Sequence, residues 1–365
     1  MLNKISLLTQ NDMYLYCNEN EQNIISCRTD SFGLYYDYMV TSNLKIPQNT
    51  SIIIKNTDIE TLNKNDLLYT IQLDNNFIYA KNKYIKTIFN ISKTDKKPSH
   101  YAMKDKIIDL DANQLLRFIR TTRVLLNSNR SIDVTLAIID NVGYLIISNS
   151  YTLYLVKLTE KPVSKLNQAF LLRDEKIKIL EQYISTFKDA NVKISLYEYN
   201  LNAGCINITH ADSKNMIDSS LQLLIEVKNT DIVNIKERKI DIIDSYMAIK
   251  SLCEFTIDQK IFTKSLTVIS GFINTKLTIA TQILMIFEDN NVVITQTDRS
   301  GRKIEVIIGS TLNSNRKFIV NDAILNAISA SMANTKEPTS VVKIRELYEH
   351  TYLLTVNGIH IAFES

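Results

Sequence analysis

Residue types that carry common enzyme chemistry are scarce in this chain of 365 residues. There is no tryptophan, and the seven glycines and four prolines are spread along the sequence, so a glycine-rich phosphate-binding loop is excluded. Neither the H-E-x-x-H pattern of zinc hydrolases nor the G-x-S-x-G pattern of serine hydrolases occurs. We therefore expect a protein that is not an enzyme and that works without a cofactor.

Cysteine and histidine are also few, with four of each. The cysteines are Cys17, Cys27, Cys205 and Cys253, and no close pair of them lies at metal-ligand spacing. Scattered thiols of this kind are typical of free, buried cysteines in a reducing compartment. The histidines are equally scattered, so the sequence predicts no metal site.

Long apolar runs and a charge excess are missing as well. No apolar run reaches the roughly 18 residues that a membrane helix needs, and Met1–Ile5 has no signal-peptide layout. We expect a cytoplasmic protein that has no membrane partner. The net charge of +3 is too small to predict nucleic-acid binding from the whole chain, so the distribution of charge must decide that question.

What the sequence does contain is a repeat. An apolar strand breaks at Asp140–Val142 and resumes at Tyr144–Ile147, and the same pattern returns at Leu284–Phe287, Asp289–Asn291 and Val292–Ile294. The two occurrences lie about 150 residues apart, which indicates one supersecondary pattern used in series. A weaker third copy is predicted at the start of the chain, and two or three domains suit the length.

The order of predicted elements supports this repeat. Each of the two later units reads as strand, helix, strands, helix, strands, which is typical of α+β domains with antiparallel sheets. The first hundred residues read mainly as strands, with a helix predicted between Gln48 and Leu62 and a loop at Ser92–Ser99.

The predicted helix from about Asp111 to Asn127 is amphipathic. Its apolar side carries Leu115, Phe118, Ile119, Leu125 and Leu126, whereas Arg117, Arg120 and Arg123 form a stripe on the other side. The stripe is either an ordinary solvated face or a phosphate-binding face, since arginine matches phosphate oxygens well. Asp109 and Asp111 flank the helix start, where we interpret them as helix caps and not as paired catalytic carboxylates.

Basic residues on several helices make up the candidate DNA-binding set, and a surface built from them would be electrostatic and would not read sequence. These residues are Arg117, Arg120, Arg123, Arg130, Arg173, Lys176, Lys260, Lys264 and Lys276.

From Ile107 to the end, the chain resembles the bacterial type of DNA polymerase sliding clamp. Ile108–Leu110 and the following helix resemble that family's domain opening, and Val142–Leu153 occupies the place of its Thr-Asp-Gly-His-Arg-Leu segment. Phe170–Arg173 and Phe318–Leu325 resemble its two strand-to-helix entries. The order and spacing of these segments carry the resemblance.

The resemblance implies an α+β fold of repeated clamp-type domains, with antiparallel sheets outside and pairs of helices inside. The implied domains are residues 1–105, 106–245 and 246–365. Two chains would join head to tail in a homodimeric ring around duplex DNA, as a processivity factor for a DNA polymerase, with a clamp loader as a further partner. An apolar pocket between the second and third domains would hold partner peptides, and its implied residues are Tyr151, Thr152, Leu153, Asn321, Ile324, Val342, Ile361 and Phe363.

The sequence also departs from the family pattern. The first domain lacks the opening strand and helix, the segment Ser148–Thr152 replaces Thr-Asp-Gly-His-Arg, and the chain ends with Ile361–Ser365 in place of Met-Pro-Met. Such divergence would suit a phage or viral clamp. It also motivates an alternative, a non-ring accessory or transcription factor of the same fold that binds DNA and polymerase without encircling DNA.

Overall fold

Antiparallel strands dominate the computed structural model of this protein. The structure describes residues 12–17, 23–29, 33–40, 46, 50–55, 57, 70–74, 77–81, 86–90, 92–128, 133–148, 152–164, 166–186, 191–211, 217–228, 232–273, 283–297, 301–311, 316–332 and 337–365.

The described elements fall into three groups and a connector. The first group is β1 (Met13–Cys17), β2 (Asn23–Thr29), β3 (Leu34–Val40), β4 (Ser51–Ile54), β5 (Thr70–Asp74), β6 (Phe77–Lys81), β7 (Lys86–Asn90) and β8 (Ser92–Thr94). The second is β9 (Lys106–Leu110), α1 (Ala112–Ser128), β10 (Asp133–Ile139), β11 (Val142–Ser148), β12 (Thr152–Lys157), β13 (Gln168–Leu171), α2 (Asp174–Thr186), β14 (Asn191–Asn200), β15 (Ala203–Ala211) and β16 (Ile217–Val227).

The connector, residues 232–247, follows β16. It consists of α3 (Ile232–Ile235), a π-helical segment (Lys236–Asp241) and α4 (Ile242–Met247). The third group is β17 (Cys253–Asp258), α5 (Gln259–Ile273), β18 (Ile283–Glu288), β19 (Asn291–Thr297), β20 (Lys303–Thr311), β21 (Arg316–Val320), α6 (Asp322–Met332), β22 (Thr339–Tyr348), β23 (Thr351–Val356) and β24 (Ile359–Glu364).

The second and third groups share one order of elements and one pairing pattern. Strand β10 pairs with β11 and β13, just as β18 pairs with β19 and β21. The strand that opens each group pairs with the strand after the second helix, β9 with β14 and β17 with β22. The predicted α+β repeat of strand, helix, strands, helix, strands is therefore confirmed.

The two predicted strand breaks are the same turn. Asp140 and Asn141 have φ values of 49° and 62°, and Asp289 and Asn290 have φ values of 48° and 61°. Two successive positive φ values are typical of a type I′ hairpin turn, which asparagine and aspartate tolerate better than other non-glycine residues. The turn joins β10 to β11 in one group and β18 to β19 in the other, so the sequence signal that predicted the repeat has a direct backbone cause.

The helix predicted between Gln48 and Leu62 is wrong for Ser51–Ile54. This segment is β4, which lies between β1 and β8 and buries Ile52 to 2% exposure. Three consecutive isoleucines favour a strand because their branched side chains pack well on a pleated surface. The loop predicted at Ser92–Ser99 is also wrong in its first part, since Ser92–Thr94 pairs with β4 as strand β8.

The first group matches the later groups from their second strand onward. Strand β1 pairs with β2 and β4 as β10 pairs with β11 and β13, and no described strand of this group corresponds to β9 or β17. In the later groups that opening strand pairs with β14 or β22. The corresponding strand here, β5, instead belongs to a separate three-stranded sheet with β6 and β7.

The chain divides into two compact units. One comprises residues 1–116, 159–166 and 172–227, and the other comprises residues 117–158, 167–171 and 228–365. This division passes through the predicted second domain, residues 106–245, so the three-domain division stays a prediction.

Each unit has its own core. In the first unit, the Tyr36 and Tyr183 rings meet edge to face at 6.0 Å, and the Tyr183 and Ser219 hydroxyls lie 2.8 Å apart. In the second unit, edge-to-face contacts link Phe255 to Phe287 and Phe287 to Phe318. Such pairs add about 0.5–1.5 kcal/mol each to the burial of the rings.

Replacement of Asn290 tests the turn. We expect Asn290→Val to lower the free energy of unfolding by roughly 1–2 kcal/mol, because a β-branched side chain clashes with the backbone at positive φ. Asn290→Gly is the matched control and should leave stability nearly unchanged, because glycine adopts this conformation without strain. Urea denaturation of the three proteins measures the difference, and equal loss in both variants would contradict the assigned turn.

Candidate functional site

The predicted arginine helix has the expected start. Asp111 caps α1, since its carboxylate accepts a hydrogen bond from the Gln114 backbone N–H at 2.7 Å. Asp109 does not cap this helix, and that part of the prediction is wrong. It lies on β9, where it accepts hydrogen bonds from Lys106 and Ser195. Burial raises the pKa of the Asp109 carboxyl, but these hydrogen bonds together with the charges of Lys106 and Lys193 outweigh it, and the net pKa is lowered.

The apolar face of α1 is confirmed at its described residues, and the side chains of Leu125 and Leu126 lie outside the description. The arginine face is only partly exposed, since Leu116, one turn before Arg120, is buried. Phe118 and Ile119 are buried, and the Phe118 ring stacks on Tyr154 of β12 at 5.6 Å. Arg117 and Arg120 are half-buried and Arg123 is exposed. Arg130 lies outside the described residues.

The other predicted DNA-binding residues differ in their surroundings. Arg173 is exposed and forms an ion pair with Glu226 at 2.6 Å. Lys176 on α2 is half-buried, and burial lowers the pKa of its ammonium group. Lys260 and Lys264 are exposed on α5, whereas Lys276 lies outside the described residues. Helices in both units therefore carry basic residues.

The predicted pocket residues divide between an edge of the sheet and the core. Thr152 and Leu153 on β12 pair with Ile361 and His360 on β24, so two of the predicted segments lie side by side. Leu153 is half-buried, and Ile361 is 1% exposed. Tyr151 lies outside the described residues.

The remaining predicted pocket residues have local partners. Phe363 packs against Phe318 and Tyr352, with ring centroids 6.1 and 5.6 Å apart. Ile324 and Val342 are buried. Asn321 is exposed, and its side-chain oxygen accepts a hydrogen bond from the Ile324 N–H at 3.0 Å as the cap of α6. Their role in a pocket stays a prediction.

An apolar cluster that the sequence analysis missed surrounds Leu153. Ile235 and Ile240 of the connector are 2% and 6% exposed. They pack with the buried residues Ala137, Ile139, Ile146 and Ala169 from three strands, and with the partly buried Tyr144, Leu153, Leu155 and Ile232. The connector therefore covers one face of the sheet formed by β10 to β13.

The π-helical segment explains how Ile235 and Ile240 reach the same face. In an α-helix, residues five apart point in clearly different directions, because each turn takes 3.6 residues. In a π-helix the hydrogen bonds run from i to i+5, so residues five apart lie nearly above one another. The signal for this contact was present as isoleucines at 232, 235, 240 and 243 in an otherwise charged stretch, but it does not fit an ordinary helical period.

Polar contacts hold the connector on both sides. Lys236 forms an ion pair with Asp140 at 2.6 Å, and Lys239 donates a hydrogen bond to the Ser148 hydroxyl at 2.6 Å. The Lys236 pair is about half exposed, so it adds little stability on its own. The apolar cluster contributes most of the stability with which the connector is held on the sheet, and the polar contacts fix the orientation of the connector.

The chain after the connector is anchored by a buried polar network. The Arg345 guanidinium donates to the Ile249 carbonyl at 2.9 Å and to the Thr355 hydroxyl at 3.4 Å. Thr355 in turn lies 3.3 Å from Nδ1 of His360 on β24. Burial, together with the nearby Arg345 charge, lowers the pKa of His360 to about 4. The ring is therefore neutral at pH 7.

In the described ranges no group of three or more His, Cys, Asp or Glu side chains is placed to hold a metal ion. Nor does any described helix have both the length and the apolar content to span a membrane. What the geometry offers is basic helix faces and an apolar sheet face partly covered by the connector.

Solved structures with the same fold include bacterial sliding clamps. The beta clamp of Helicobacter pylori, bound to a DNA ligase peptide, matches with a TM-score of 0.66 and 9% identity, over 100% of this chain and 96% of that one. The DNA polymerase III beta subunit of Thermotoga maritima matches with a TM-score of 0.63 and 11% identity, over 100% and 96%. The sliding clamp of Caulobacter crescentus matches with a TM-score of 0.62 and 10% identity, over 100% of this chain and 95% of that one.

The sequence comparisons find nothing further, since no family model and no curated protein matches this chain. The predicted resemblance is thus confirmed at the level of the fold, along the whole chain and at very low identity.

His360 makes a testable contribution to pH dependence. Its pKa of about 4 in the folded protein is below the ordinary 6.5, so the neutral ring stabilises the fold fully above pH 6.5. As the pH falls from 6.5 to 4, the unfolded chain binds a proton that the folded chain does not. We expect about 3 kcal/mol to be lost over this range.

Urea denaturation at pH 7 and pH 4.5 measures this loss, which should be much smaller in His360→Gln. His350→Asn is the matched control, since His350 is 75% exposed and its removal should leave the pH dependence intact. Equal pH dependence in the wild type and His360→Gln would contradict the assignment.

Proposed function

We propose that this protein is a DNA sliding clamp, in which two chains join head to tail as a ring around duplex DNA and tether a DNA polymerase. The fold shared with bacterial clamps over the whole chain supports this function. A ring gains processivity by enclosing DNA, so it needs no catalytic group, and we propose that it acts in the cytoplasm without enzymatic activity.

The pairing of strand edges carries the proposal. The last strand of the second group, β16, pairs with β3 of the first group, and the last strand of the third group, β24, pairs with β12 of the second. Each of these pairs joins equivalent strands of successive repeats. Continuing the series requires that β20 of the third group pair with β7, the last strand of the β5–β6–β7 sheet in a first group.

Both β7 and β20 have an edge that is unpaired along most of its length in the described structure. Among the described strands, β7 pairs only with β6, and β20 has β19 along one edge but β17 on the other only at residues 309–311. Each strand also carries an exposed isoleucine, Ile88 at 53% and Ile307 at 55%. An unpaired edge with an apolar side chain favours association with another strand. Because β7 and β20 are different surfaces, a contact between them is head to tail. Such contacts close into a ring when the rotation from one chain to the next permits it.

The basic helix faces would then contact DNA. Arg117, Arg120 and Arg123 on α1 and Lys260 and Lys264 on α5 are the described residues that we assign to this role. A net charge of only +3 keeps the number of phosphate contacts low, so the ring holds DNA by enclosure and still slides.

The apolar cluster at the connector is the proposed site for partner peptides. Leu153 and Leu155 are only partly buried there, and they adjoin the connector isoleucines. The H. pylori beta clamp has been solved with a DNA ligase peptide bound. We propose that the polymerase and the clamp loader of this system use the surface around Leu153 in a comparable way.

A monomeric accessory factor of the same fold is the second candidate. It is favoured by the first group, whose β5–β6–β7 sheet is separate from the other strands because no described strand links it to β3. Such a protein would bind DNA without enclosing it, and the oligomeric state separates the two candidates.

Retention on closed DNA tests the ring. We expect the protein to sediment as a dimer and, when loaded on nicked circular DNA, to be lost once the circle is cut.

Ile88→Glu or Ile307→Glu should convert the dimer to a monomer, because a charge at the joined edges is costly to bury. Leu201→Glu is the control, since Leu201 is 91% exposed in the turn between β14 and β15. A monomeric wild-type protein would favour the accessory factor.

Removal of the arginine stripe tests DNA contact. We expect the triple change of Arg117, Arg120 and Arg123 to Ala to weaken binding to short duplex DNA. The slope of log affinity against log salt concentration should become less steep by up to about 3, because each lost phosphate contact removes roughly 0.9 from the slope. Lys343→Ala, at a partly exposed lysine on β22 that pairs with Glu254, is the control that should leave the slope unchanged. An unchanged slope in the triple variant would remove this helix from the DNA surface.

A further inference from the structure

The separate three-stranded sheet of β5, β6 and β7 has one covered face and one open face. Phe89 on β7 is 7% exposed and belongs to a core cluster with Leu15 of β1 and Ile52 of β4. Side chains alternate between the two faces along a strand, so Ile88 points away from this core, and it is 53% exposed. Tyr79 of β6 lies opposite Ile88 and therefore shares the open face.

Two aromatic rings and a cation meet on the open face. Phe77, two residues before Tyr79 on β6, is 38% exposed, and the centroids of the two rings lie 6.3 Å apart. Tyr79 is half-buried, and the exposed Lys86 places its Nζ atom 5.4 Å from the centroid of the Tyr79 ring. Aromatic rings beside a cation suit a nucleic acid, because bases stack on the rings and the ammonium group attracts phosphate.

The segment that starts at Phe77 carries a strong local excess of positive charge. Seven lysines and one acidic residue, Asp95, lie between positions 77 and 104, which gives this segment a net charge of +6 in a chain whose total is only +3. The lysines of this segment whose side chains the structure describes are all exposed, and they are Lys86, Lys93, Lys96, Lys97 and Lys104. A polyanion is the partner whose charge complements such a surface.

The distance between the two rings favours a single strand over a duplex. Successive bases in a strand of duplex DNA are about 3.4 Å apart, whereas the Phe77 and Tyr79 centroids are 6.3 Å apart. Two neighbouring bases can rest on both rings only when they are unstacked from each other. A duplex also keeps the faces of its bases inside the helix, where protein rings do not reach them.

We propose that the open face of the β5–β6–β7 sheet binds single-stranded DNA, with Phe77 and Tyr79 as stacking surfaces for two bases and Lys86 as a phosphate contact. These residues are different from the basic helix residues that we assign to duplex DNA. The choice of DNA over RNA rests on the proposed function, because the template strand of a DNA polymerase is single-stranded ahead of the primer end. The site would hold that strand on the protein.

The proposed ring would leave this face accessible. Pairing of β7 with β20 would use the backbone groups along the edge of β7, which lie in the plane of the sheet. Phe77 and Tyr79 are on β6, the middle strand, and their side chains stand out of that plane. The dimer contact and the single-strand site therefore use different groups and can be tested separately.

Fluorescence anisotropy with labelled oligonucleotides tests the site. The probes are an oligothymidylate of about 20 nucleotides, which is long enough to span one site of this kind, and a blunt duplex of the same length. We expect Phe77→Ala to weaken binding of the oligothymidylate about tenfold, because one stacked base is lost, and to leave the affinity for the duplex unchanged. Phe77→Tyr keeps a ring for stacking and should bind like the wild type.

Variants at three other positions assign the effect. Tyr348→Ala removes an aromatic ring that is 61% exposed on β22 and should leave single-strand binding unchanged. For the oligothymidylate, Lys86→Gln should make the slope of log affinity against log salt concentration less steep by about 0.7, because one phosphate contact is lost. Lys343→Gln, at the lysine that pairs with Glu254, is the matched control and should keep the slope.

The outcomes separate this inference from the proposed function. Failure of the wild type to bind the oligothymidylate would overturn the inference, as would equal loss of single-strand and duplex binding in Phe77→Ala. Displacement of the DNA by polyglutamate at equal charge concentration would overturn it too, because charge alone would then explain binding. Tighter binding of an oligouridylate would overturn the assignment to DNA. Phe77→Ala should keep the dimer and its retention on circular DNA, so those two measurements report on the fold and the ring independently of the single-strand site.

Discussion

Backbone hydrogen bonding at strand edges is the constraint on which the rest of this structure depends. Each repeat ends in a strand whose edge needs a partner, and the pairs β3–β16 and β12–β24 satisfy that need with equivalent strands of the neighbouring repeat. An unpaired edge is open to association with any other strand. In the proposed function, the same rule that joins repeats within the chain would join β7 to β20 between chains, so that ring closure would continue the internal repeat.

The alternation of side chains along β12 gives one strand two roles. Tyr154 faces α1, where its ring stacks on Phe118, while Leu153 and Leu155 on either side face the connector. A strand has a side-chain period of two, so neighbouring residues necessarily serve opposite faces of the sheet. In the proposed function, one face of the sheet supports the arginine helix and the other binds partners. The π-helical segment matters because it places Ile235, Ile240 and Lys239 on the partner face.

Several elements were predictable from the residues alone because their signals are local. The hairpin turns at Asp140 and Asp289 were visible as polar breaks in apolar strands, and Asp111 was predicted correctly as a helix cap. Other elements were misread where local signals conflict. Ser51–Ile54 was assigned to a helix although three isoleucines favour a strand, and Asp109 was taken for a cap although β14 brings Ser195 to it across 86 residues. Contacts of that separation leave no mark on a single segment of sequence.

By itself, the sequence determined the repeat, the α+β class and the order of elements, because apolar periodicity and turn residues act over a few positions at a time. The tertiary structure alone decided which edges meet and how the connector lies on the sheet. These features depend on strand register and on a five-residue helical spacing. A shift of one residue in strand register would turn the same side chains to the opposite face, and an ordinary α-helical spacing would separate Ile240 from Ile235. The spatial arrangement of the candidate sites therefore appears only when the chain is folded.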